Sequence, residues 1–365
     1  MRLLSKTVAL FVFLNLLFAF VVPPDSLGVL TFYNKLFPGR QRLPYGENSS
    51  ESYNLSLTNL PAMIHSHEIA KEKMEDEYRV LIIGDSGIWG WFLENEDTLA
   101  GRINTGNFVT ADGRIVRAYN LGYPVMSLLK DVMILEEAMV YQPDLIVWPV
   151  TLESFPRAKQ LFAPIVQSNT GRVRALIDRY ELQLDPEDER LEERSFLENS
   201  IIGQRRNLAD LVRLQLYGLS WAATGIDQAI PEEIPLRRSD FEIDTSWQDI
   251  EEPINLSESI LAFDVLLAGK ATAGDLPLLI INEPMFISTG INSELRYNSF
   301  YPRWAYDQYR EMLQSWTTDN NVDYLDLWDT IPPREFTDTP VHLTPAGSDR
   351  LASLVAANIL QIAAR

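Results

Sequence analysis

The chain has 365 residues, 46% of them hydrophobic, a formal net charge of −20 and no cysteine. That is enough apolar material for one sizeable core, or for one domain carrying a large insertion. So acidic a surface repels phosphate backbones and argues against nucleic acid as a partner, and the missing cysteines exclude disulfides, thiolate catalysis and zinc–cysteine sites.

At the N-terminus, Arg2 and Lys6 precede an apolar run over 8–22 that only Asn15 interrupts, and Pro23 and Pro24 end it. The run has the length of a signal-peptide core and is short for a spanning helix, although Leu3 and Leu4 lengthen it. Two outcomes stay open for segment 1–22. It is an uncleaved membrane anchor, or it is a signal cut near the small-x-small triplet Ser26-Leu27-Gly28, which leaves a secreted chain. In both, the basic flank stays inside and the rest of the chain is extracytoplasmic. Residues 23–77 read as a linker, turn-rich over 48–54, with a lead-in helix over 60–77 carrying Met63, His67, Ala70 and Met74 at helical spacing.

Five short apolar runs follow, at 79–83, 116–121, 144–148, 276–281 and 324–327, each ending in a turn or polar residue. Continuous runs of this length suit strands buried on both faces. Helical patterns lie between several of them, at 127–141 with Leu128, Val132, Leu135 and Met139 on one stripe, and at 304–316. Strands alternating with helices predict a parallel α/β sheet. The third and fourth strands are separated by a stretch, 156–275, too long for an ordinary crossover. It reads as a helical insertion with helices at 172–180, 206–219 and 256–270, an acidic loop at 185–193 and a proline-rich segment at 231–235. The α/β domain is then 78–155 together with 276–365.

Gly84-Asp85-Ser86 follows the first strand directly, at the sheet end where parallel α/β proteins bind ligands. A serine there needs a base within hydrogen-bond reach to act as a nucleophile; without one, Asp85 or Ser86 merely caps the next helix. Only three histidines are available, His65, His67 and His342. His342 precedes Thr344-Pro345, a helix-start signal, so it lies in a loop just before a terminal helix. Asp338 is four residues upstream and can accept from one imidazole nitrogen while the other faces Ser86. These three residues are the candidate catalytic set.

The chain resembles the SGNH/GDSL hydrolases. Gly84-Asp85-Ser86-Gly87-Ile88-Trp89-Gly90 matches the block that holds the nucleophile, Asn120-Leu121-Gly122 resembles the second block, and the Asp338…His342 loop resembles the last. The resemblance implies a three-layer α/β/α fold and an oxyanion hole built from Ser86, the Gly122 N–H and a side chain after the third strand. That side chain is usually asparagine in a Gly-x-Asn-Asp block; here the stretch is Thr151-Leu152-Glu153-Ser154, so Glu153 takes its position. An ionised carboxylate repels an oxyanion, and a protonated one donates to it. The last block is usually Asp-x-x-His, but Thr339 stands at that acid position and Asp338 one residue further back.

Trp89, with Trp91 beside it, flanks the nucleophile, and Tyr297, Tyr301 and Trp304 follow the fourth strand. They either offer ring faces to a substrate or pack in the interior. Glu283, in Asn282-Glu283-Pro284, either binds substrate or turns the chain. His65-x-His67 is too small a set for a metal site, and no cofactor motif is present. The implied function is a serine esterase or deacylase acting on acyl groups of extracellular or envelope glycans, with an acylated glycan or small ester as substrate. Two alternatives are a polysaccharide O-acyltransferase and a non-catalytic glycan-binding or assembly protein.

Overall fold

The structure is a computed structural model that describes residues 2–21, 39–45, 59–191, 195–224, 230–231 and 233–365. The proline pair 23–24, the triplet 26–28 and the stretch 48–54 lie outside the described residues. The chain divides into two compact units, Met1–Lys71 with Pro164–Asp227, and Glu72–Ala163 with Gln228–Arg365.

The second unit contains a five-stranded sheet of β1 (Glu77–Gly84), β2 (Ile115–Gly122), β3 (Leu145–Val150), β4 (Leu278–Asn282) and β5 (Asp323–Asp326). The order is β2-β1-β3-β4-β5 and every pair is parallel. Each of the five apolar runs in the sequence became a strand. Side chains alternate across the sheet, as the two-residue period of a strand requires. Tyr78, Val80 and Ile82 of β1, with Leu145 and Val147 of β3, enter a core closed by helices Leu99–Thr105 and Pro345–Ala363. Trp148 faces the opposite layer, where helices Leu128–Ala138 and Phe263–Ala273 pack together. Its indole N–H donates to Asp131 at 3.1 Å. The result is an α/β/α sandwich whose strand order reverses between β1 and β3, and ligands of such sheets bind beyond the strand ends at that point.

The division of the chain differs from the sequence reading. Only 164–227 leaves the α/β unit, and it groups with the N-terminal segment rather than standing as an insertion over 156–275. Helix Phe263–Ala273 is the crossover from β3 to β4, and packing against Leu128–Ala138 makes it part of the sandwich. The lead-in helix is shorter than its pattern, Leu60–Ser66, because Asn59 caps its start and His67 turns extended at its end.

The first unit is helical among its described residues, with Arg2–Val21, Leu60–Ser66, Thr170–Tyr180 and Arg205–Thr224 as its longer elements. Arg2–Phe20 is apolar and long enough to cross a membrane, with a mean hydropathy of 2.1.

The crossover helix approaches β3 closely at Gly269, where a Cβ would lie 2.2 Å from Trp148 Cζ3. Gly269→Ala must therefore displace a fully buried indole. It is expected to destabilise the α/β unit by about 1–3 kcal/mol, read as a lowered urea midpoint.

Candidate active site

β1 ends at Gly84, whose φ of +153° disfavours any side chain; a Cβ there would also meet Ile88 Cγ1 at 2.7 Å. Asp85 then caps the short helix Ser86–Trp89, its Oδ1 accepting from the Gly87 N–H at 2.8 Å. Ser86 is thus the first helical residue beyond the carboxyl end of β1, half-buried beside the switch point. Its own N–H belongs to the helix turn that has no intrahelical acceptor.

His342 reaches the same place on a loop closed at its base. Phe336 and Leu343 pair as an antiparallel bridge, and the Thr337 N–H donates to the His342 carbonyl at 2.9 Å. Thr339, between Asp338 and His342, accepts from the His342 N–H at 3.2 Å through Oγ1. Asp338, one residue further back, is then the carboxylate that meets the ring. His342 Nδ1 lies 2.8 Å from Asp338 Oδ1, and Nε2 lies 2.8 Å from Ser86 Oγ. With Nδ1–H donating to the carboxylate, Nε2 is the unprotonated nitrogen that accepts from the serine. Burial alone would push the Asp338 carboxyl up, but the His342 hydrogen bond and charge outweigh it and hold the group below its ordinary value. Asp338 is therefore ionised at neutral pH, as an orienting acceptor must be.

Two aromatic rings enclose the imidazole. Trp91 stacks on it with centroids 5.9 Å apart and planes at 19°, and Phe92 meets it edge-on at 6.4 Å. Phe92 has φ +63°, a left-handed conformation that is costly for a bulky residue. Such strain persists where the surroundings over-determine it, commonly beside a site. The sequence signal for this pair was the aromatic run after Gly90, from which Phe92 went unremarked.

Other residues expected at the site are elsewhere engaged. The Gly122 N–H donates to Asn120 Oδ1 at 3.0 Å, while Asn120 Nδ2 donates to the Ile88 carbonyl at 2.9 Å. The pair fastens the end of β2 to the helix Ser86–Trp89, and the Gly122 N–H, which the resemblance implied for an oxyanion hole, already has an acceptor. Glu153 accepts from Trp247 Nε1 at 3.1 Å and Gln248 Nε2 at 2.7 Å, and pairs with Lys159 at 2.8 Å. All these contacts use it as an acceptor, which corrects the expectation of an oxyanion donor. Arg157, four residues after Glu153, pairs with Asp264 instead.

Trp89, Tyr297 and Tyr301 are interior residues, so the expectation that their faces meet a substrate does not hold. Tyr301 shares a 2.7 Å hydrogen bond with Thr151 and packs on Tyr306, and Tyr297 donates to Asp307 at 2.8 Å. They build an aromatic core behind β4. Among the described residues, no three histidine or carboxylate side chains cluster as metal ligands. His65 and His67 turn their Nδ1 atoms to local backbone, at 2.8 and 3.0 Å.

No protein-family model matches this chain, and no curated protein matches it either. Among solved structures it is similar to a carbohydrate acetylesterase family member from Sinorhizobium meliloti, at 11% identity and a TM-score of 0.34, over 78% of this chain and 99% of that one. It is similar in the same degree to the native aryl esterase of M. smegmatis, at 12% identity and a TM-score of 0.34, over 78% and 98%. Likenesses so slight carry no weight of their own, and the fold stands on the strand order given above.

Glu153→Ala would leave the nearly buried Trp247 indole N–H without its acceptor. It is expected to cost about 1–3 kcal/mol of stability, whereas Glu153→Gln keeps an acceptor oxygen and should cost less. Urea unfolding of the two variants, followed by tryptophan fluorescence, measures the difference.

Proposed function

We propose that the chain is a serine esterase or deacylase of the SGNH type, acting on acyl groups of extracellular or envelope glycans through an acyl-Ser86 intermediate. The observation that carries this reading is the continuous relay Ser86 Oγ, His342 Nε2, His342 Nδ1 and Asp338 Oδ1, with both links at 2.8 Å. Residues 256 apart in sequence meet in the one geometry that makes a serine nucleophilic.

In this reading Ser86 Oγ attacks the ester carbonyl as its proton passes to His342 Nε2. Asp338 stabilises the imidazolium that forms. The tetrahedral oxyanion sits over the start of the turn Ser86–Trp89, within reach of the Ser86 N–H, which has no intrahelical acceptor. His342 then protonates the leaving alkoxide. Water, activated by the same ring, attacks the acyl carbon and releases the acid and free Ser86. Trp91 and Phe92 keep bulk water from the imidazole and offer apolar surface beside the scissile bond. An envelope glycan as substrate rests on the sequence resemblance and on the N-terminal segment.

That segment is read as an anchor retained in the mature chain, with the α/β unit on the extracytoplasmic side. Within its own unit the helix Arg2–Val21 has partners: Asn15 Oδ1 accepts from the Ile202 N–H at 3.1 Å, and Phe20 packs on Phe196 with centroids 5.0 Å apart. A signal removed on export would leave these groups uncovered.

Ser86→Ala should abolish hydrolysis of short-chain p-nitrophenyl esters. Asp338→Asn should lower kcat about 10,000-fold, as loss of the tautomer-fixing carboxylate does in such a relay, with Thr339→Ala far milder. Equal activity of wild type and Ser86→Ala would overturn the assignment. For the anchor, the full-length chain expressed in bacteria should stay in the membrane pellet after carbonate at pH about 11, a wash that strips peripheral proteins but leaves spanning helices inserted. N-terminal sequencing of that material should begin at or near Met1; a start after residue 28 would point to a cleaved signal.

A further inference from the structure

One polar residue interrupts the apolar run of the helix Arg2–Val21, and its partner comes from far along the chain. Asn15 is buried, at 8% exposure, between the exposed Leu14 and Leu16. Its Nδ2 donates to the Phe11 carbonyl at 2.9 Å, one turn back, and its Oδ1 accepts from the Ile202 N–H at 3.1 Å. Nearer the end of the helix, Phe20 meets Phe196 with ring centroids 5.0 Å apart. The turn-rich stretch 195–204 is thus seated along the last part of the helix, within the same compact unit.

The length of the helix says how deep that seat is. Residues 2–14 rise about 20 Å and the whole of Arg2–Val21 about 30 Å, while the hydrocarbon core of a bilayer is about 30 Å thick. A span that stopped short of Asn15 would not cross. Asn15 therefore lies in the membrane, about 9 Å inside the outer end of the helix, and the chain that touches Asn15 and Phe20 lies there with it. We propose that the turn 195–204 enters the extracytoplasmic leaflet beside the anchor, as a second membrane element whose surroundings are phospholipid acyl chains. The proposal rests on the reading of Arg2–Val21 as a retained anchor.

The turn has the two properties such a place demands. Backbone groups in hydrocarbon must find their partners within the protein. The Asn199 N–H donates to the Ser195 carbonyl at 3.0 Å, the Ser200 N–H to the Leu197 carbonyl at 3.1 Å and the Gln204 N–H to the Ser200 carbonyl at 2.8 Å. The Gly203 N–H donates to Ser200 Oγ at 3.2 Å, and Gln204 Nε2 covers the Glu198 carbonyl at 2.8 Å. Asn15 takes the Ile202 N–H, which explains a polar residue in an otherwise apolar run. The outward side chains are apolar: Phe196, Leu197 and Ile202 are exposed, Leu197 at 67%. Water meets them as an apolar patch, whereas acyl chains meet them as like with like. Glu198 is the charged residue of the stretch, and its carboxylate accepts from the Ser195 N–H and Oγ, both at 2.7 Å. Arg205 and Arg206 follow at once, both exposed, where phosphate headgroups begin.

The chain has no cysteine, so single cysteines can be labelled with a nitrobenzoxadiazole dye without background. The full chain carrying Leu197→Cys, Ile202→Cys, Leu10→Cys or Ser353→Cys is placed, purified, in nanodiscs of phosphatidylcholine and phosphatidylglycerol. Doxyl groups on the lipid chains quench the dye at their own depth, and iodide quenches it from water. The dyes at 197 and 202 should lose more emission to a doxyl near the headgroup end of the chain than to one near its tip, and should be shielded from iodide. The dye at 10, near the middle of the helix, should lose most to the deep doxyl. The dye at 353, exposed on the terminal helix of the α/β unit, should answer to iodide alone. If the dye at 10 is quenched from the lipid while those at 197 and 202 answer only to iodide, the anchor stands and the embedded turn is overturned. If the dye at 10 answers to iodide, or is absent because the mature chain has lost that segment, the anchor reading fails and the embedded turn falls with it.

Discussion

The site hangs on a single turn. A parallel strand delivers its chain to the sheet edge with the next residue pointing onward, and a serine can be exposed there only if the backbone reverses at once into a helix. Gly84 permits that reversal at φ +153°, and Asp85 secures it by accepting the Gly87 N–H. Ser86 is then held by the backbone, with no need for packing of its own. The neighbouring elements serve the same turn. Lys130 holds the Gly84 carbonyl, and Asn120 holds the Ile88 carbonyl from the end of β2. Two neighbouring elements thus grip the five residues 84–88 from outside, and so hold Ser86 close to His342.

What the sequence disclosed about this arrangement was uneven for physical reasons. The strands were legible because buried parallel strands are apolar without interruption, and Leu145 to Val150 carries no charged, hydroxyl or amide side chain. The meeting of Ser86 and His342 was legible because there are only three histidines, and His342 is the one that precedes the C-terminal helix. The aromatic residues misled. Tyr301 and Trp89 have the composition of a binding surface, but a tyrosine whose hydroxyl finds Thr151 is as content in a core as at a mouth. No local pattern separates the two cases. Glu153 misled for a related reason: position along the chain marks where a backbone goes, while the partners Trp247 and Gln248 come from almost a hundred residues away.

The division of the long connection between β3 and β4 was equally beyond local reading. Its last part forms the crossover helix that any parallel pair requires, and only contact with Leu128–Ala138 reveals this. A helical pattern reports that one face is apolar. It does not report which unit that face will cover.

The loop that carries His342 shows why spacing in a motif is a softer constraint than chemistry. An extra residue between acid and base would swing the carboxylate away if the loop kept the backbone path of the shorter version. Here Thr339 takes up the slack: its hydroxyl accepts from the His342 N–H at 3.2 Å and so fills, toward the backbone, the position an acid would fill toward the ring. The base of the loop is pinned by the Phe336–Leu343 bridge and by Thr337, so the added residue cannot be spread along the chain and must bulge between them. A bulge of one residue carries Asp338 back to the ring at 2.8 Å. The loop thus sets an ionised oxygen against Nδ1 while Thr339 satisfies the backbone beside it.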